Sequence, residues 1–210
     1  MAQLLASDRA AQAKIVLPQD PTPQELYAAQ ELRDYLDLMS SAVFEIVRGP
    51  VEDAQIALGR AALDFVQADE SLGEDGFLIE TQQGVIAIWG GKRGLIYGVY
   101  ELLEQMGCRF FTATCEKVPC ETELPAPELH IRQKPVLEYR DHNYYEFAQN
   151  PRFAVKARIN GQFPPIKEKF GGHMSYTWFV HTFEQLVPTE VYGQSHPEYF
   201  AMYDGKRKVL

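Results

Sequence analysis

No run of basic residues longer than Lys206-Arg207-Lys208 occurs in this sequence, and acidic side chains outnumber basic ones 29 to 20, for a net charge of −9. Binding to nucleic acid or to an anionic membrane surface depends on clustered cations. Neither partner is expected, and a neutral or cationic one fits better. Cysteine is scarce: Cys108, Cys115 and Cys120 are odd in number and form no C-x-x-C pair, so neither a disulfide framework nor a zinc site is indicated. No stretch approaches the roughly 20 apolar residues of a membrane span. Residues 1–13 lack the apolar centre of a signal peptide; nothing in the chain directs export, and a cytoplasmic location is favoured. Nucleotide fingerprints are missing too. Around Gly91 and Lys92 a phosphate loop would need glycine where Ile86 stands and a hydroxyl where Arg93 stands, and no G-x-G-x-x-G occurs. No cofactor is expected.

What the chain does have is apolar material, 46% of 210 residues, enough to build a core. Its centre is the stretch from Gly84 to Phe111. Val85, Ile86, Ala87, Ile88 and Trp89 form a nearly unbroken apolar run, which reads as a strand buried on both faces. Gly90 and Gly91 end it. From Lys92 the period changes: Leu95, Val99, Leu102 and Leu103 recur at helical spacing, with Glu101, Glu104 and Gln105 off that stripe, until Gly107 stops the helix. Gly94 and Gly98, one turn apart, would let this helix lie close against a sheet. Cys108 to Phe111 then resumes a strand.

In chain order, Lys14 to Leu17 is a short strand ended by Pro18. Thr22, Pro23 and Glu25 give a helix start: a capping threonine, proline in the first turn, and glutamate closing a capping box. Ala28, Leu32, Tyr35, Leu36 and Met39 are the buried stripe of that helix. Val43–Val47 and Gln55–Leu58 read as strands, and Ala61–Leu72 as a short polar helix or loop. Gly76–Thr81 and Val85–Trp89 form a hairpin joined through Gln82, Gln83 and Gly84. This order describes a compact α/β layer, two helices on a mixed sheet.

These residues carry a family resemblance. The segments AAQELRDYL, IALG, DGFLI and VIAIWGG, followed by RGLIYGVYELLEQMGCRFF and VP, resemble the accessory α/β domain that precedes the catalytic barrel in β-hexosaminidases and α-glucuronidases. They are most similar to bacterial proteins in which that domain leads into a conserved domain of unknown function. The likeness covers about residues 14–133, and RG-x-x-YG-x-Y-x-x-LE is its most specific part. It implies a noncatalytic domain of residues 1–133, with Arg93, Gly94, Tyr97 and Gly98 serving folding and the domain interface.

Pro119, Pro125 and Pro127 mark a linker. After it, residues 134–210 are expected to begin a (β/α)8 TIM-type barrel, with Val136–Arg140 as one strand, Phe153–Ala157 as a helix and Arg158–Asn160 as a second strand. PVLEYR, KARING, HTFEQLVP and HPEYFAMYDGKR resemble the same relatives, and Asp204-Gly205 supplies a hairpin turn. Side chains at the C-terminal ends of barrel strands face substrate. That makes Arg140, His142, Asn143 and Tyr144, with His181 and His196 from the later segments, the candidate substrate-binding residues. DHNYYEF reads equally as a polar loop, and it lacks the substrate-holding arginine of the hexosaminidases.

The segment after Gln133 is far shorter than a barrel of about 250 residues. In the related hydrolases the catalytic acid comes from the fourth strand, so the resemblance assigns no acid and base here. Asp141, Glu146, Glu184 and Glu198 are carboxylates without a defining motif, and His173, His181 and His196 match no metal-binding spacing. The expectation is the N-terminal portion of a glycoside hydrolase acting on glycans or oligosaccharides, inactive alone, with a carbohydrate substrate and the remainder of its own barrel as partners. The alternative is a noncatalytic carbohydrate-binding or interaction module.

Overall fold

A computed structural model describes residues 3–51, 55–178 and 182–207. The chain divides into one compact unit ending at Met174 and a second from Ser175.

The first unit opens with β1 (Leu4–Ser7), β2 (Ala10–Ala11) and β3 (Ile15–Leu17), followed by α1 (Pro23–Ser40), β4 (Ile46–Arg48) and β5 (Ile56–Leu58). After two short 3-10 turns come β6 (Phe77–Gln82), β7 (Val85–Gly90) and α2 (Gly94–Gln105). Four short strands follow, β8 (Arg109–Phe110), β9 (Glu116–Lys117), β10 (Glu123–Pro125) and β11 (His130–Gln133), then α3 (Tyr145–Gln149) and α4 (Pro151–Lys156). The main sheet has six strands in the order β11-β6-β7-β5-β3-β4. Its β4, β3, β5 and β7 run parallel, with Ile56 opposite both Ile15 and Ile86, whereas β6 pairs antiparallel with β7 on one side and with β11 on the other. A three-stranded sheet, β10-β1-β2, stands apart from it.

Alternation along the strands sorts the two faces. Ile15, Leu17, Ile56, Leu58, Ile86 and Ile88 point into the large core under α1 and α2, while Ala57, Val85 and Ala87 join Ala62 and Val66 in a smaller cluster behind the sheet. This is the mixed α/β layer expected from the sequence.

The local signals act as read. Thr22 Oγ1 accepts from the Glu25 backbone N–H, and the Glu25 carboxylate accepts from the Thr22 N–H at 2.8 Å, closing the capping box. Gln83 and Gly84 both have positive φ, so the β6–β7 hairpin turns in two residues. At Gly94 an added Cβ would collide with the Gly76 carbonyl, and at Gly98 it would come within 2.8 Å of Ile88 Cγ2. The two glycines are what lets α2 lie on β6 and β7.

Two expected strands are absent. Val136–Arg140 and Arg158–Asn160 have no ladder partners among the described residues. Arg158 has φ 58, a left-handed conformation incompatible with an extended chain, and the Arg140 N–H is taken by the Asn160 side chain at 2.8 Å. The helix expected over Phe153–Ala157 is present as α4. The stretch Ala61–Leu72, expected as a short polar helix or loop, lies in and between 3-10 turns and buries Ala62 and Val66, and the strand expected over Val43–Val47 appears only as β4, Ile46–Arg48.

The second unit contains α5 (Phe183–Leu186) and α6 (Thr189–Tyr192), then the hairpin of β12 (Met202–Tyr203) and β13 (Lys206–Arg207) turned at Asp204 and Gly205.

Two outcomes follow from this packing. Gly94→Ala should destabilise the fold by about 1–3 kcal/mol through overpacking, although alanine is the better helix former by about 1 kcal/mol; a raised melting temperature would refute the close approach. At Glu25, burial pushes the carboxyl up, but hydrogen bonds from Arg60 and Thr22 and the Arg60 charge outweigh it and hold it below its ordinary 4.5. A carboxyl lowered on folding stabilises above its unfolded value and loses that contribution as pH falls through its native value. Stability measured by urea unfolding should therefore fall more steeply below pH 4.5 in the wild type than in Glu25→Gln, and parallel pH profiles would contradict it.

Candidate functional site

The segment Leu137–Met174 is held on the α/β layer by charge. Asp75, nine-tenths buried, precedes β6, and its two oxygens face three donors. Arg93 Nε donates to Oδ1, while Arg140 Nη2 at 2.9 Å and Asn160 Nδ2 at 2.6 Å donate to Oδ2. Arg93 also donates to Glu74 Oε2 at 2.6 Å and to the Gly171 carbonyl at 3.2 Å. Burial lowers the Arg93 guanidinium, but Asp75 and Glu74 outweigh it and keep it charged. Asn160 completes the knot: it donates to the Glu138 carbonyl and accepts from the Arg140 N–H, and the Arg140 carbonyl accepts from the N–H groups of Asn160 and Gly161. Tyr97 lies beneath, its ring 5.8 Å from the Arg140 guanidinium. Burial, with Asp75 nearby, pushes its phenol up to about 12.

Three further cations, two on α4 and one just after it, repeat the pattern. Arg152 donates to Glu31 on α1 at 2.8 Å, and Glu31 also accepts from Tyr100, whose hydroxyl is 3.0 Å from that of Tyr27. Lys156, buried, pairs with Glu116 and donates to the Tyr35 hydroxyl at 2.5 Å. Burial draws the Lys156 amine down, and Glu116 only partly offsets it. Arg158 bridges Glu101 at 2.5 Å and Glu104 at 2.7 Å, both on α2.

The sequence-predicted residues divide. Arg140 has its guanidinium committed to Asp75 and to the carbonyls of Leu137 and Arg158. His142, Asn143 and Tyr144 sit on the loop that follows. The Asp141 carboxylate ties this loop down, accepting from Tyr139, Phe163 and the His142 N–H. His142 Nδ1 accepts from the Tyr144 N–H at 3.0 Å, which leaves the neutral ring's proton on Nε2. The rings of Tyr144 and His142 are 3.7 Å apart, and Phe147 and then Phe153 continue the contact inward to a buried residue. Tyr144 itself is 68% exposed, and no hydrogen bond occupies the Asn143 amide among the described residues. His181 lies outside the described residues. His196 belongs to the second unit, stacked on Tyr199 at 4.8 Å and 3.0 Å from Glu198.

A cleft of about 660 Å³ opens beside the Asp75 knot, lined by Glu74, Asp75, Arg93, Lys134, Glu138 and Arg140 among others. Asp75 is not a free acid or base there, since both oxygens are engaged. Glu146 Oε1 accepts from the Ala113 N–H. No cluster of three His, Cys, Asp or Glu residues suited to a metal occurs among the described residues, and no described helix is long and apolar enough to cross a membrane. Sequence reasoning assigned no role to Asp75 or Asn160, although both lie in the family-like segments DGFLI and KARING.

Residues 2–102 match the family model "Glycosyl hydrolase family 67 N-terminus", and residues 110–210 match "Domain of unknown function (DUF4838)". The chain thus carries a glycoside-hydrolase-type N-terminal domain followed by that conserved region. Its fold is similar to that of a family GH115 4-O-methyl-α-glucuronidase, BtGH115A, with specificity for decorated arabinogalactans: TM-score 0.60 at 15% identity over 81% of this chain. The chain spans 29% of that enzyme's length. A slighter likeness, TM-score 0.34 at 21% identity, covers 45% of this chain and 10% of a GH138 enzyme targeting pectin rhamnogalacturonan II. No curated protein matches by sequence.

Removing Asp75 leaves Arg93 buried without its main partner. Asp75→Ala should cost about 3–5 kcal/mol in urea unfolding, whereas Glu74→Ala, which removes a solvent-exposed partner of the same arginine, should cost about 0–1 kcal/mol. Equal losses would refute the knot.

Proposed function

We propose that this chain supplies the accessory domain, residues 1–133, and the opening segments of a (β/α)8 barrel, residues 134–210, of a glycoside hydrolase acting on glycans or oligosaccharides. The observation that carries the reading is the pairing of Arg140 with Asn160 and Gly161. It brings the C-terminal ends of the Val136–Arg140 and Arg158–Asn160 segments together, although neither is a strand here, with a polar and aromatic loop following the first; the ends of neighbouring barrel strands meet at a substrate face in the same way. The glycosyl hydrolase family 67 match and the shared fold support the carbohydrate assignment.

On this reading Arg140 anchors the loop and His142, Asn143 and Tyr144 meet the sugar: the Tyr144 ring against an apolar sugar face, the His142 Nε2–H and the Asn143 amide toward hydroxyls. His181 and His196, in the later family-like segments, are further proposed substrate contacts, and the rest of the barrel would bring the acid and base. A noncatalytic carbohydrate-binding module uses the same loop. The two differ in turnover: an active glycoside hydrolase cleaves aryl glycosides, whereas a module binds oligosaccharides and cleaves none.

The test is titration of the protein with neutral and uronic-acid-bearing oligosaccharides, followed by amide shifts. Residues 141–147 should move. Tyr144→Ala should lower affinity roughly 2- to 10-fold, from the about 0.5–1.5 kcal/mol of one aromatic contact, without changing the melting temperature. Arg140→Ala should lower the melting temperature. If no oligosaccharide perturbs the loop, the site is wrong.

A further inference from the structure

A second crevice, of about 240 Å³, opens at the C-terminal ends of the parallel strands. The chain leaves β3 through α1 to reach β4 on one side, and continues from β5 toward β7 on the other. Crevices outside the strand ends where connections part in this way are where open α/β sheets hold ligands. Thr22, Gln24 and Glu25 at the start of α1, Gly59 and Arg60 after β5, and Trp89 to Lys92 after β7 line it.

Three of these side chains have capacity left over. Trp89 packs one side against the small cluster behind the sheet, and its indole N–H has no protein acceptor among the described residues. Arg60 holds Glu25 and the Asp20 carbonyl through Nε and Nη2, leaving Nη1 without a protein partner among the described residues. Lys92 pairs with Glu168 at 2.9 Å, but both side chains are well exposed, and such a pair is worth little against a competing anion. Glu25 is fully occupied by Thr22 and Arg60, so it leaves the Lys92 side of the crevice to a ligand.

An aromatic wall, two cations and a hydrogen-bond donor at one end of a crevice smaller than the about 300–1,000 Å³ of sites for larger ligands select a small ligand that is flat-faced, hydroxylated and anionic. We propose that this crevice binds a single acidic sugar residue, a hexuronate, with its ring on Trp89 and its carboxylate between Arg60 and Lys92. A nucleotide is too large for it, and a bare anion would leave Trp89 without a role. The site belongs to the accessory domain and is independent of the loop at His142 to Tyr144.

The chain has two tryptophans, Trp89 and Trp178, so Trp178→Phe makes emission report on Trp89 alone. Sodium glucuronate should change that emission saturably, glucose should bind about tenfold more weakly for want of the charge-assisted bonds, and sodium acetate should give no change. Lys92→Gln should weaken glucuronate about tenfold at an unchanged melting temperature, while Tyr144→Ala should leave the response intact. Absence of a saturable change, an equal response to acetate or glucose, or indifference to Lys92→Gln would each overturn the proposal. If Trp178→Phe fails to fold, the indole N–H resonance of Trp89 in the parent protein gives the same readout.

Discussion

The second half of the first unit depends on one buried carboxylate. Asp75 is reached by Arg93 from the start of α2, by Arg140 from the segment after the linker, and by Asn160 from the irregular segment after α4. Three stretches distant in sequence meet on its two oxygens. A buried charge costs several kcal/mol to desolvate, and only close partners offset that. The same cost makes any docking that separates these groups unfavourable. An apolar contact would tolerate sliding, since burial is non-directional. Guanidinium and amide donors converging on fixed oxygens do not.

The pairs along α4 extend this logic across the surface of α1 and α2. Arg152 and Lys156 lie on α4 and Arg158 just beyond its end, and Glu31, Glu116, Glu101 and Glu104 receive them from separate parts of the layer beneath. An exposed pair of this type contributes little. Here Glu31 and Lys156 are buried and each also bonds a tyrosine hydroxyl. The interface is thus polar at its fixed points and apolar between them, where Phe153, Ala154 and Val155 are buried.

The α/β layer was legible in the sequence because its signals are local. Val85–Trp89 alternates between two cores, Thr22 and Glu25 cap one helix, and Gln83-Gly84 turns one hairpin; each feature depends on spacing within a few residues. The resemblance carried by RG-x-x-YG extended this to the role of Arg93 and Tyr97 at the interface. The partner of Arg93 was not legible, because nothing distinguishes Asp75 from other acidic residues until β6 and α2 are brought together. The same applies to Arg158: its neighbours suggested a strand, but bonds to Glu101 and Glu104 hold it where φ is positive. Among the candidate site residues, sequence order alone kept His142, Asn143 and Tyr144 together. It could not reveal that Arg140, two positions earlier, faces inward to an ion pair.

Charge also bears on how the molecule meets a ligand. With a net charge of −9, and with Arg140, Arg152, Lys156 and Arg158 turned toward its own carboxylates, the long-range field of the protein opposes an approaching anion. That field decays over about 8–10 Å at physiological salt. Recognition of an acidic sugar would therefore depend on cations within contact distance. Arg60 and Lys92 remain partly exposed at the strand ends, where Trp89 gives a ring face to hold a sugar against them. Binding there would strengthen as salt decreases at contact range but would gain no steering from the surface at large. A neutral saccharide meeting Tyr144 and His142 faces no such opposition, so the two surfaces should respond differently to ionic strength.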